Sequence, residues 1–196
     1  MSDKNKGRRS QSAHLQEIAA SQNFLTSRQL LECIVNRSTI SKKDIVIEIG
    51  TGKGHLTDVL CKRCKYLYSI EIDRKLHEHT KKKLAHRKNL YLIYGDFLKF
   101  QLPQKGEYKV FANIPYYITT RIVRKLTVTS NPPAEMWLVM EKGAAKRFMG
   151  LPTENKYSMA LKHEWRLEII HYFKRADFHP LAAVDSVLLH FNRIFS

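Results

Sequence analysis

The 196-residue chain is short of cysteine, short of acids and without a long apolar run, and each shortage removes a class of protein. Its cysteines are Cys33, Cys61 and Cys64. So few thiols argue against a disulfide-stapled secreted domain and for a reducing, cytoplasmic compartment. The basic N-terminus has no apolar core behind it, which is not the pattern of a secretory signal. No apolar run approaches the length of a membrane span, so no membrane partner is expected. Cys61-x-x-Cys64 lacks the second pair or spaced histidines of a zinc site. It also falls near the end of an expected helix, whereas a redox pair sits at a helix start. Two free thiols and no metal are therefore expected.

Acids number 18 against 34 Lys+Arg, a formal net charge of +16. Such a surface seeks polyanions, nucleic acid first and acidic membrane second. The charge is clustered. Lys4, Lys6, Arg8 and Arg9 stand against Asp3 alone in the first nine residues. Residues 1–14 read as a basic, flexible arm, and residues 15–196 as one folded domain. Residues 62–88 carry ten Lys/Arg and three acids. That run reads equally as the outer face of a helix or as an RNA contact.

Strand and helix patterns alternate along the chain. Ser27 is a plausible N-cap for a helix through Leu30, Leu31, Ile34 and Val35. Strands are expected at 44–49, 66–72, 90–94, 108–112 and 136–140, with helices at about 55–61, 73–86 and 119–125. Residues 157–174 suit a long amphipathic strand or a helix, and 184–191 reads as a final strand. The alternation predicts an α/β fold with a mostly parallel, seven-stranded sheet flanked by helices, in the Rossmann-like manner.

Four strand ends carry chemistry. Glu48-Ile49-Gly50-Thr51-Gly52-Lys53-Gly54 runs from a strand into a helix. It matches neither G-x-G-x-x-G nor the P-loop, so it is a tight turn with no phosphate to cradle. Glu71 lies 21 residues after Gly50, where an acid can accept from ribose hydroxyls. Asp96 ends the third strand, where it can meet an exocyclic amino group. The ordered set fits an adenosine cofactor without a pyrophosphate, S-adenosylmethionine. Asn113-Ile114-Pro115-Tyr116 closes the fourth strand. Pro115 fixes its own φ and biases Ile114 toward an extended backbone. The loop therefore holds an amide beside an aromatic ring, an arrangement suited to chemistry on a nucleobase amino group.

These motifs, in this order, resemble the ribosomal RNA adenine N6-dimethyltransferases, and within them the Erm enzymes of macrolide-lincosamide-streptogramin B resistance. The likeness spans about residues 22–191. It includes Gln22-Asn23-Phe24-Leu25, the glycine loop, Glu71, Asp96, the Asn113–Tyr116 motif and the basic segment Glu141 to Arg147. The resemblance implies N6-methylation of a 23S rRNA adenine. Gln22, Asn23, Leu25, Gly50, Gly52, Glu71, Ile72, Asp96, Phe97 and Asn113 would contact the cofactor. Asn113, Ile114, Pro115 and Tyr116 would act on the base, with Tyr116 and Phe178 sandwiching it. Lys4, Lys6, Arg8, Arg9, Lys142, Lys146 and Arg147 would hold RNA. The late motif Phe178 to Ser186 departs from the family, with Ala182 in place of its second proline. Family members continue into a small helical C-terminal domain. The chain stops at Ser196, so that domain is expected to be absent or truncated. A monomer is expected. A housekeeping small-subunit rRNA dimethyltransferase is the nearest alternative; Ile114, the Lys53-Gly54-His55 variant and the Lys142–Arg147 segment favour Erm. A non-catalytic RNA-binding or ribosome-assembly factor of the same fold is the alternative outside enzymes.

Overall fold

The computed structural model describes residues 23–194. The basic arm and Gln22 lie outside this range.

A short ribbon pairs β1 (Phe24–Leu25) with β8 (Phe178–His179). The other seven strands form one sheet. They are β2 (Ile45–Ile49), β3 (Tyr66–Glu71), β4 (Leu90–Tyr94), β5 (Lys109–Asn113), β6 (Glu135–Glu141), β7 (Trp165–Phe173) and β9 (Ser186–Arg193). Their order across the sheet is β4-β3-β2-β5-β6-β9-β7. Strands β2 to β6 pair in parallel, and β9 runs antiparallel between β6 and β7. The order reverses between β2 and β5, and open α/β sheets bind ligands beyond the strand ends at such a switch point.

Helices cover both faces because the parallel strands are apolar on both. Helices α1 (Arg28–Asn36) and α2 (His55–Arg63) bury Leu31, Ile34, Val35, Leu56, Val59 and Leu60 on one face. Helix α3 (Arg74–Lys83) follows β3. On the other face α4 (Thr119–Thr127) buries Ile122, Val123 and Leu126, joined by α5 (Lys142–Phe148) and α6 (Lys156–Glu164).

Local signals set the boundaries. Ser27 Oγ accepts from Leu30 N at 3.3 Å, starting α1. Asp73 Oδ1 accepts from Lys75 N and Leu76 N at 2.7 and 3.1 Å, starting α3. Lys81, Lys82 and Lys83 close α3, where cations complement the helix dipole. The ambiguous 157–174 segment splits at Trp165. Asn155 and Ser158 form a capping box that starts α6, and the β-branched, aromatic run after it becomes β7. A register shift at Ile169/His171 blurs the alternation along β7. Cys61 and Cys64 are free thiols, and burial pushes them up to about 12 and about 11.

A charged cluster closes the amino ends of β5 and β6. Lys109 Nζ lies 3.4 Å from Asp44 Oδ1, 3.3 Å from Glu135 Oε1 and 2.9 Å from Thr39 Oγ1. Burial pushes the Glu135 carboxyl up, but hydrogen bonds from His190 and Thr39 and the Lys109 charge outweigh it and hold the group at about 2. Its contribution is therefore present above pH about 4.5 and is lost as pH falls toward 2. Lys109→Ala would take from the partly buried Asp44 and Glu135 the cation they share. It is expected to cost about 3 kcal/mol, read as a lowered denaturant midpoint at neutral pH.

Candidate active site

The carboxyl ends of β2, β3, β4 and β5 open into a cleft of about 1110 Å3, counted to its open mouth. Asn23, Leu25, Gly50, Gly52, Glu71, Ile72, Asp96, Phe97, Asn113, Ile114, Pro115 and Tyr116 all line it. Asn23 and Tyr116, 93 positions apart in the chain, thus share one wall.

The glycine loop approaches the cleft with a bare backbone. Gly50 has φ 77°, and a Cβ there would meet nothing within 4 Å, so this edge is left open to a ligand. Gly52 has φ 51°, and a Cβ there would lie 2.8 Å from Phe24 Cε1. The Phe24 ring therefore rests on the loop, and the Lys53 ammonium lies 5.2 Å from its centroid. Gly52→Ala should displace that ring and strain the turn. About tenfold weaker S-adenosylmethionine binding by titration calorimetry is expected, with the fold retained.

Glu71 is nearly inaccessible, and its carboxylate braces the loop. Oε2 accepts from Gly52 N at 3.0 Å and Thr51 Oγ1 at 3.1 Å, and Oε1 accepts from Asp73 N at 2.8 Å. Burial pushes its pKa up, which these hydrogen bonds only partly offset. A carboxylate offers about four acceptor positions, so one remains for a hydroxyl. Asp96 Oδ1 accepts from Leu98 N at 2.8 Å, leaving its second oxygen to accept an amino group. Ile72 and Phe97 add apolar wall between these acids. Acceptors for hydroxyl and amino groups, an apolar slot and a loop without a phosphate pattern together fit an adenosine cofactor.

Asn113 is held in one orientation. Its Nδ2 donates to Asn23 O at 2.7 Å. A carbonyl can only accept, so the amide nitrogen must face Asn23 and Oδ1 remains to accept from a substrate. Pro115, at φ −62°, begins a short 3-10 turn through Tyr116–Ile118. Its carbonyl accepts from Ile118 N at 3.2 Å. The Tyr116 hydroxyl bonds Ser186 Oγ at 2.7 Å. Burial pushes the Tyr116 phenol up, with Ser186 opposing, so the hydroxyl stays neutral at physiological pH.

Phe178 sits elsewhere. Its ring is buried against Phe173, with centroids 5.5 Å apart, and it is not among the residues that line the cleft. Pairing of Leu25 with Phe178 across the β1–β8 ribbon places it in the apolar cluster under α1 and α2. In this arrangement the expected two-ring sandwich has only its Tyr116 side on the cleft wall. Lys142, Lys146 and Arg147 lie on α5, which starts at the carboxyl end of β6 on the cleft side of the sheet. Lys146 and Arg147 are exposed, and Lys142 Nζ lies 5.6 Å from the Tyr172 centroid. Lys4, Lys6, Arg8 and Arg9 fall outside the described residues. The roles of Phe24 and Ser186 escape sequence reasoning, because each acts through a contact with a distant segment.

A twisted α/β sheet with a glycine turn, two strand-end acids and an oriented amide beside a tyrosine defines an S-adenosylmethionine-dependent methyltransferase acting on an amino nitrogen. Comparison with known proteins narrows the class. The profile of the Ribosomal RNA adenine dimethylase family matches residues 13–195. An rRNA adenine N-6-methyltransferase of Lysinibacillus sphaericus is 41% identical over 172 residues, covering 88% of this chain and 69% of that protein. The 23S rRNA methyltransferase ErmE superposes with TM-score 0.82 at 25% identity, over 89% of this chain and 71% of that one. A dimethyladenosine transferase of Plasmodium falciparum superposes with TM-score 0.79 at 28% identity, over 87% of this chain and 63% of that one. The chain belongs to the ribosomal RNA adenine dimethylase family of rRNA adenine N6-methyltransferases, which use S-adenosylmethionine.

Proposed function

We propose that this chain methylates N6 of one adenine in 23S rRNA in the cytoplasm, once or twice, and thereby confers resistance to macrolide, lincosamide and streptogramin B antibiotics. The orientation of the Asn113 amide carries the chemical part of this reading. Adenine N6 is a poor nucleophile because its lone pair is delocalised into the ring. An N–H donated to Asn113 Oδ1, and a second to the carbonyl of Ile114, would favour a pyramidal nitrogen. Tyr116, anchored by Ser186, offers a stacking face that offsets part of the cost of unstacking the base, roughly 1–3 kcal/mol. S-adenosylmethionine supplies an electrophilic methyl already activated by its sulfonium charge. The protein's task is then positioning and electrostatic fit. Among the described residues no group of metal ligands is found.

The choice of 23S rRNA rests on Ile114, on the Lys53-Gly54-His55 loop variant and on the basic segment at Lys142–Arg147. The competing reading is a small-subunit rRNA dimethyltransferase. It draws support from the Plasmodium dimethyladenosine transferase, slightly more identical to this chain than ErmE is. Incubation with radiolabelled S-adenosylmethionine and each naked rRNA, followed by mapping of the modified base, separates the two. Label on a single 23S adenine is expected, and label confined to 16S rRNA would overturn the assignment.

A further inference from the structure

The Lys and Arg side chains of the basic run at residues 62–88 are not among those lining the cleft. Part of the run lines a second, open groove of about 990 Å3 with Lys42, Lys62, Lys65, His86, Arg87 and Lys88 on its walls. This groove lies at the opposite ends of the strands. Lys42 precedes β2, Lys65 immediately precedes β3, and Lys88 precedes β4. A five-residue strand rises about 3.3 Å per residue, so roughly 17 Å of sheet separates the groove from the cleft.

The charge there is only partly compensated. Asp58 takes Arg87 at 2.6 Å and reaches Lys62 at 3.7 Å. Lys42 Nζ is tethered to the Cys61 and Cys64 carbonyls at 3.4 and 3.5 Å, which fixes its position on the wall. Among the described residues no carboxylate lies within ion-pair distance of Lys42, Lys65 or Lys88. One lysine joins the groove to aromatic surface: Lys65 Nζ lies 5.5 Å from the centroid of Tyr66. Tyr66 and Tyr91 meet edge-on at 5.9 Å, and Tyr91 stacks on Tyr68 at 4.8 Å. Tyr66 is 37% and Tyr91 45% exposed, on the sheet's edge pair β3–β4. Exposed tyrosines backed by another ring, joined through Lys65 to a groove whose lysines lack an acidic partner, are the parts of a single-strand nucleic-acid site: rings stack bases and ammonium groups take phosphates.

We propose that this amino-edge surface is a second RNA-contacting site, which holds a flexible stretch of the substrate RNA remote from the reacting adenine. The proposal rests on the rRNA substrate of the family. It adds an anchor that would orient the RNA without reading the target base.

The test is fluorescence anisotropy of the full chain with an oligouridylate of about 12 nucleotides, over a salt series. A pyrimidine probe offers no adenine to the cleft. Lys65→Glu with Lys88→Glu is expected to weaken binding at least tenfold and to lower the log–log salt slope by about 1.4, about 0.7 for each phosphate no longer neutralised. Tyr91→Ala is expected to weaken binding about fivefold with the slope unchanged. Lys105→Glu with Lys156→Glu, two exposed sites elsewhere on the domain, makes the same change in net charge and should have less than half the effect. An equal loss in that control, an unaltered slope in the Lys65/Lys88 variant or no RNA binding by the wild type overturns the proposal. A wild type that shows the expected binding pattern yet labels no rRNA overturns the catalytic reading instead and leaves this surface standing.

Discussion

Asn113→Ala is expected to slow methyl transfer by about 10²–10³-fold while RNA binding persists. The substitution removes the side-chain oxygen to which the proposed mechanism assigns the substrate amino group, and it leaves the Asn23 carbonyl without its amide donor. The expected loss lies in the chemical step, so single-turnover rates at saturating cofactor and RNA should carry it. Tyr116→Phe provides the contrast. It deletes the hydroxyl that meets Ser186 but keeps the stacking ring, and a loss below about tenfold is expected. A Phe variant as slow as the Asn113 variant would move the critical interaction from the amide to the phenol. Turnover of Asn113→Ala at the wild-type rate would remove Asn113 from the chemistry.

Glu48→Gln is expected to stabilise the protein above neutral pH and to flatten its stability profile. Glu48 lies in the middle of the sheet, fully buried, and accepts a hydrogen bond from Ser69. Burial pushes its carboxyl up to about 8, with Ser69 and Thr57 opposing and the Glu71 charge adding to the rise. The folded state thus binds a proton that the unfolded chain releases above about 4.5. Stability is then lost as pH rises from 4.5 to 8, at about 1.4 kcal/mol per pH unit, or on the order of 4 kcal/mol by pH 8. Glutamine has nearly the shape of the protonated acid and keeps a carbonyl oxygen to accept from Ser69, but does not ionise. The difference in unfolding free energy between variant and wild type, from denaturant titrations at pH 5, 7 and 8, should grow with pH. A constant difference would show that Glu48 does not change its protonation on unfolding. This charge is distinct from the working acids: Glu48 and Glu71 are both buried on neighbouring central strands, yet only Glu71 reaches the cleft.

Much of this was legible in the chain itself. Strands β2 to β6 are short aliphatic and aromatic runs punctuated by Gly, Asp or Pro, so their pattern and order were plain. The capping residue Ser27 marked one helix start. The strand-end residues Gly50, Glu71, Asp96 and Asn113 were legible as a set because parallel strands carry all their carboxyl ends to one edge. Less legible were α5 and the α6–β7 boundary. Helix α5 has seven residues, under two turns and too short a window to read a helical period from, and its basic residues mask the buried Ala144, Ala145 and Phe148. At β7 the bulge breaks the alternation that distinguishes strand from helix.

Local composition and backbone preference determined, without help from the rest of the molecule, which segments would be strands, where the chain would turn, and which acids and amides would sit at strand ends. Tertiary structure alone decided how those groups point. The Asn23 carbonyl, 90 residues away, orients the Asn113 amide. Ser186, 70 residues from Tyr116, anchors its ring. The β1–β8 ribbon pairs Phe178 with Leu25 and buries its ring in the core. It is also the tertiary fold that divides one basic run between a helix face and an amino-edge groove. Sequence periodicity reports burial along one element, whereas the direction of a hydrogen bond depends on a partner that only the folded chain brings within about 3 Å.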